Sequence, residues 1–338
     1  MRAVTVPLDT DLDLNDVARH DGCLFVRDGV GFAGRGVAAR VAVDDAVEFL
    51  ADIEHDDRVG DTNGPIALGA LPFRPGAPAE LLVPEVVVGK GADGRRWITT
   101  IDDADVELFD RSGPVPAAAS FSISPDVEID HYLGAVAAAR DAVRSGRLEK
   151  AVIARPITVR TDRPIDVHAV LRRLKATFGS SHRFSIDGLI GASPELLVAV
   201  DGAEVTSFPL AGTTRPTGDP ALDEPLALEL QASDKNRIEH RVAMEMVRDT
   251  LLPYCSYLDW APEPTIVKVA NVQHLGSQAM GMLSQPGPTV IDLVRALQPT
   301  PAVGGHPRES AIDLIVEHEG FERGRYGGAV GCLSLIHI

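Results

Sequence analysis

The stretch "HRFSIDGLIGASPELLVAVDGAEVTSFPLAG" (182–212) constrains the fold more than any other part of the chain. It reads as several short strands divided by turns, and Asp201-Gly202 carries the signal of a tight hairpin. Strands joined that closely run antiparallel, because a parallel crossover needs a dozen or more residues. Helices appear elsewhere in blocks of their own, so the expected fold class is α+β, with large antiparallel sheets and helices packed on the outside.

Upstream, to about Asp110, alternating runs such as "ELLVPEVVVGK" and "RRWITTIDD" are separated by turns rich in Gly, Pro and Asp. One helix is expected there, in "VDDAVEFLADIEH". "RSGPVPAAASFSISPD" (111–126) reads as a connecting stretch of small residues and prolines. The division expected is a strand-contributing region over 1–115, a connection over 116–129 and a larger domain over 130–338. In the larger domain "DHYLGAVAAARDAVRSGRLEK" is a helix with Asp130 as its N-cap, and "AVIARPITVR" follows as a strand. "IDVHAVLRRLKATFG" is a helix ending at Gly179, and "SDKNRIEHRVAMEMVRDTLLPYC" is one capped by Ser233 and closed before Pro253. "PTIVKVANVQHLGSQAMGML" returns to strand. "HPRESAIDLIVEHEG" is a last helix, with Pro307 near its first position and Gly320 just past its end.

Composition narrows the function classes. With 45% hydrophobic and 24% charged residues over 338 positions, the chain is ordinary globular material. Its N-terminus lacks a signal-peptide pattern, and it contains no apolar run long enough for a membrane span. Cys23, Cys255 and Cys332 are scattered and odd in number, which fits a reducing cytoplasm rather than a disulfide framework or a zinc site. The net charge of −17 argues against a nucleic-acid partner. Residues 1–130 hold 11 basic and 25 acidic side chains, or −14 of that total. An anionic substrate would therefore need locally placed cations.

Four stretches invite a chemical reading beside a structural one. In "LEKAVIAR", Lys150 is either a strand-edge lysine reaching solvent or a partly desolvated amine able to act as a base near neutral pH. In "GASPELLV", Glu195 lies close to apolar residues; it is either paired with an arginine or a carboxyl of raised pKa that serves as a general acid. In "KNRIEHRVAMEMV", Glu239 and His240 point about 100° apart on a helix, and Glu245 faces elsewhere again. The two histidines of a zinc motif are absent; a lone Glu239 suits Mg²⁺, and an ordinary solvated helix face remains the alternative. "PLAGTTRPTG" and "PTPAVGGHP" are loops whose backbone N–H groups can approach an anion, and they are equally ordinary as turns. "GVGFAGRG" lacks the spacing of a dinucleotide loop.

Taken together and in order, "EKAVIAR", "GASPELL", "PLAGTTRPTG", "SDKNRIEHRVAM", "VQHLGS", "PTPAVGG" and "FERGRYGGAVG" resemble the chorismate-binding enzymes, over roughly Asp130 to Gly331. That family contains anthranilate, aminodeoxychorismate, isochorismate and salicylate synthases. Ammonia-using members have no need of a water-activating lysine where this chain has Lys150, and aminodeoxychorismate synthases tend to place a lysine where it has Ala211. The resemblance is closest to the isochorismate synthases, for menaquinone or siderophore biosynthesis, and implies no glutamine amidotransferase subunit. Gln298, where siderophore-type relatives often have histidine, favours neither pathway. A salicylate synthase, or a catalytically dead chorismate-binding fragment, is the rival reading.

The resemblance also implies roles. Lys150 would be the general base that activates water for attack at C2 of chorismate, and Glu195 the general acid for the departing C4 hydroxyl. Glu239 would hold Mg²⁺ on the ring carboxylate. Gly212 and Thr213 would grip that carboxylate, His274 would sit near the ring, and Ala302 would contact the substrate. In the family the strand opening at "YGGAVG" leads on to an arginine-bearing strand and a final helix whose glutamates complete the metal site. "CLSLIHI" does not resemble that continuation, so the expectation is a chain cut short and impaired in activity.

Overall fold

The hairpins that the sequence announces close in tight turns. The computed structural model describes residues 1–334 apart from 61, 63, 106–107, 109–115, 117 and 271, so most of the connecting stretch, and 335–338 of the "LSLIHI" ending, lie outside the described residues. His182–Ile186 and Leu189–Ser193 pair antiparallel around Asp187 and Gly188, whose φ angles of 53° and 81° give the left-handed pair a two-residue hairpin needs. The second turn falls one residue later than the sequence suggests. Asp201 pairs with Glu204, which leaves Gly202 and Ala203 at the centre.

The 182–193 hairpin does not keep to its own half of the chain. It extends a sheet of eight strands in the order Leu189–Ser193, His182–Ile186, Cys23–Arg27, Val30–Arg35, Val86–Lys90, Arg96–Ile101, Arg2–Pro7 and Glu54–Asp57. Every neighbouring pair is antiparallel except Arg2–Pro7 with Glu54–Asp57. That pairing explains why "VDDAVEFLADIEH" is helical only over Ala46–Ala51, since its last residues are drawn into the sheet. "GVGFAGRG" likewise supplies the strand Val30–Arg35. Phe32, Val87, Trp97 and Ile186 pack against Ile66, Leu68 and Leu82 of a second sheet, ordered Val330–Ser334, Ile66–Ala70, Glu80–Val83 and Ala39–Ala42.

A further core is built by strands and helices that follow Leu189–Ser193 in the sequence. The sheet Leu196–Asp201, Glu204–Phe208, Ala279–Leu283, Cys255–Trp260 is covered by the helices Asp234–Leu251 and Val290–Leu297. Val247, Leu251, Leu293 and Leu297 meet Val200, Val205, Ala279 and Leu283 there. This mixture of antiparallel sheets with external helices is the expected α+β class. Among the described residues no helix is long and apolar enough to cross a membrane.

Two helix and strand boundaries depart from expectation. The first long helix spans Ile129–Arg144 with Glu128 at its N-cap, so Asp130 sits in the first turn, where its charge faces the positive end of the helix dipole. "AVIARPITVR" is not one strand. It divides into Lys150–Ala151 and Ile157–Thr161, because Pro156 has no N–H for a ladder and the backbone at Val152 and Ala154 is bonded to side chains instead.

Leu293 is fully buried between its helix and the sheet. Leu293→Ala should lower stability by about 2–5 kcal/mol in urea unfolding, while exposed Leu222→Ala stays within about 0.5 kcal/mol of the parent.

Candidate active site

Lys150 occupies a strand two residues long, and its neighbours fix where it points. Lys150 and Ala151 pair antiparallel with His306 and Gly305. Gly305 permits that approach: a Cβ there would lie 2.3 Å from the Lys150 carbonyl oxygen and 2.7 Å from Ala311 Cβ. From this strand the Lys150 Nζ reaches Glu239 Oε1 at 3.0 Å, with both side chains mostly buried.

Glu239 is held by a helix whose start the sequence marks clearly. Ser233 caps Asp234–Leu251 by accepting from the Asn236 N–H. The following residue, His240, turns inward as its rotation of about 100° requires, and its Nε2 lies 2.9 Å from Ser277 Oγ.

Glu195 is the third charge of the cluster. It follows the strand Leu189–Ser193, and its N–H donates to Ser193 Oγ at 3.3 Å. Burial pushes its carboxyl up to about 7, against the opposing pull of the Leu210 N–H and of the Lys150 charge. The carboxyl thus feels Lys150 and binds the first residue of the strand Leu210–Thr214, which carries Gly212 and Thr213.

Gly212 breaks the register of that strand with φ 73°, and a Cβ on it would meet Asn236 Cβ at 3.0 Å, one helical turn from Glu239. Opposite Thr213 stands His274 on Val272–Gly276. Its Nδ1 lies 3.0 Å from Thr213 Oγ1 and 3.3 Å from the Gly212 carbonyl. A carbonyl only accepts, so this geometry assigns the proton to Nδ1 and leaves Nε2 an acceptor. Burial lowers the His274 pKa, which keeps the ring neutral at neutral pH.

Ala302 sits on the turn in which the Val303 and Gly304 N–H groups both donate to the Thr300 carbonyl. A backbone bond links it to the lysine strand, from Val152 N–H to the Gly304 carbonyl at 2.8 Å.

Lys150, Glu195 and Glu239 therefore form one charged cluster, and Gly212, Thr213 and His274 form a hydrogen-bonded group against the helix that bears Glu239. An amine whose charge acts on a carboxyl of pKa about 7 is the kind of pair that can supply a base and an acid. A magnesium site is less well provided for. Among the described residues no group of three or more His, Cys, Asp or Glu is placed to hold an ion, and the Glu239 carboxylate is engaged by Lys150. As they stand, these residues do not fit a preformed magnesium site.

Sequence reasoning assigned no role to Glu319 and Arg323, which bind the backbone beside both Lys150 and Ala302. The available signal was a glutamate and an arginine four apart around Gly320 in "HEGFERG".

Comparison with known proteins shows the family of the chain. A family model described as chorismate binding enzyme matches residues 68–336. MenF of Mycobacterium tuberculosis is 38% identical over 281 residues, covering 79% of this chain and 71% of that one. The isochorismate synthase DhbC of Bacillus subtilis is 34% identical over 278 residues, covering 79% and 67%. Among solved structures, the menaquinone-specific isochorismate synthase MenF of Escherichia coli aligns with TM-score 0.83 over 99% of this chain and 82% of that one, at 23% identity, a likeness of fold.

The raised Glu195 pKa has a thermodynamic sign. The folded state binds the proton more tightly than the unfolded chain, so Glu195 stabilises least at high pH. Its contribution falls as pH rises from about 4.5 to about 7, by up to about 3 kcal/mol. Glu195→Gln should flatten that part of the stability–pH curve, measured by urea unfolding at half-unit pH steps.

Proposed function

The chain belongs to the chorismate-binding enzymes, and on that footing we propose that it is an isochorismate synthase, an isomerase that adds water at C2 of chorismate and releases the C4 hydroxyl. The observation that carries the reading is a lysine amine, held 3.0 Å from Glu239, whose charge acts on a second, buried carboxyl poised near neutrality, that of Glu195.

The two groups divide the proton traffic. As general base, Lys150 first releases its ammonium proton to solvent, losing with it the attraction to Glu239, and the free amine then takes a proton from the attacking water. The new C–O bond forms at C2, the ring double bonds shift, and the C4–O bond breaks. Glu195 in its protonated form hands its proton to the departing oxygen. One water enters and one leaves, so product and substrate are isomers and no oxidant is consumed. A carboxyl at about 7 is about half protonated at neutral pH, which suits a donor better than an ordinary glutamate would.

The substrate carries two carboxylates. The Gly212–Thr213 backbone is the proposed grip for one of them, with the neutral His274 beside the ring and Ala302 along the wall. Magnesium at Glu239 belongs to the resemblance; that carboxylate would be its protein donor among these residues, and Lys150 would have to relinquish it. Gln298 gives no pathway signal. Its amide is spent on backbone, donating to the Pro72 carbonyl at 3.4 Å and accepting from the Ala329 N–H at 2.9 Å.

Incubation with chorismate and MgCl₂, followed by chromatography, should yield isochorismate. Lys150→Met and Glu195→Gln should each lower turnover by roughly 10²–10⁴-fold. Parent activity should decline as pH rises above about 7, as Glu195 loses its proton. Salicylate with pyruvate as the main product would instead identify a salicylate synthase, and binding without turnover a non-catalytic member.

A further inference from the structure

A two-residue ladder is a weak way to position a catalytic group, since even a full two-stranded hairpin is marginal in water. The strand Lys150–Ala151 has only Gly305–His306 as its sheet partner. Beyond Ala151 the Val152 N–H still donates to the Gly304 carbonyl, but the Val152 carbonyl and the Ala154 N–H are taken up by two side chains from far along the sequence.

Those side chains are Glu319 and Arg323, an ion pair almost sealed from water. Glu319 follows the helix Arg308–His318, and Gly320 at φ 76° turns the chain so that Arg323 returns against it. Arg323 Nε donates to Glu319 Oε2 at 2.7 Å, and its Nη2 also reaches Glu319 Oε1. The same guanidinium then bridges the two strands. Nη2 donates to the Val152 carbonyl at 2.7 Å and Nη1 to the Val303 carbonyl at 2.8 Å. Glu319 Oε1 accepts from the Ala154 N–H at 2.7 Å. The Phe73 ring lies 4.2 Å from the guanidinium carbon. Arg323 thereby acts as an extra rung between the segment that carries Lys150 and the turn that carries Ala302.

Stability alone is a poor reason to keep such a pair, because buried ion pairs replaced by apolar groups of similar volume are often neutral or better. We propose that Glu319 and Arg323 are positioning residues for Lys150: they set the register of its strand against Gly305–His306 and so hold the amine where it meets Glu239. This rests on the reading of Lys150 as the reacting base.

The test uses two variants of the full chain. Glu319→Gln with Arg323→Met removes the charges at similar volume, and Arg323→Lys keeps the charge but loses the planar fork. Both should fold, with kcat for isochorismate formation lowered at least tenfold and KM changed less than threefold. Failure of lysine to rescue is the decisive reading, since a purely structural charge would be satisfied by it. A folded variant of either kind with the parent's kcat, KM and pH profile overturns the proposal. Should neither fold, hydrogen exchange in the parent decides. The Ala154 amide must exchange as slowly as those of Arg308–His318, and fast exchange there overturns the proposal. A parent that does not turn over chorismate sinks the functional reading. The exchange rate at Ala154, parent against variants, then tests the positional claim alone.

Discussion

A guanidinium taken out of water must have every donor answered nearby, and Arg323 is answered by parts of the chain far apart in sequence. Glu319 neutralises it, the carbonyls of Val152 and Val303 each receive one N–H from its two outer nitrogens, and Phe73 covers its face. Because each partner is stationary only if the others are, this contact fixes three segments at once: the lysine strand, the Pro299–Gly304 turn and the loop around Phe73. Its planar fork has two outer nitrogens set at a fixed spacing, which lets one side chain stand between two strands.

The charged cluster on the other side of that anchorage works by opposition. Burial raises the Glu195 pKa, whereas Lys150 and the Leu210 N–H pull it down, and the balance leaves it near neutrality. Glu239 meanwhile neutralises Lys150 in the resting arrangement.

The legible parts of the sequence were those governed by local rules. Ser233 capped its helix as expected, Pro307 and Gly320 bounded theirs, and the hairpin expected at Asp201-Gly202 formed one residue later, around Gly202. The roughly 100° between Glu239 and His240 also held, one side chain facing Lys150 and the other Ser277. What stayed hidden depended on distant partners. Pro156 marks part of the break in "AVIARPITVR" locally, but the bonds of Val152 and Ala154 to Arg323 and Glu319 and the pairing of Glu54–Asp57 with Arg2–Pro7 join residues that no local window contains together. The motif blocks placed the chemistry in order along the chain, but the contact between Lys150 and Glu239 belongs to the tertiary structure.

The bonds that anchor the lysine strand span 165 residues from Ala154 to Glu319 and 171 from Val152 to Arg323. Contacts of such separation pay their loop-closure entropy before they return anything, so they form late in folding. On the ribosome, Lys150 emerges well before the residues that hold it in register have been translated. Until they arrive, its strand lacks the two side chains that bind its continuation. The lysine is made early and placed late, once Glu319 and Arg323 have been added to the chain.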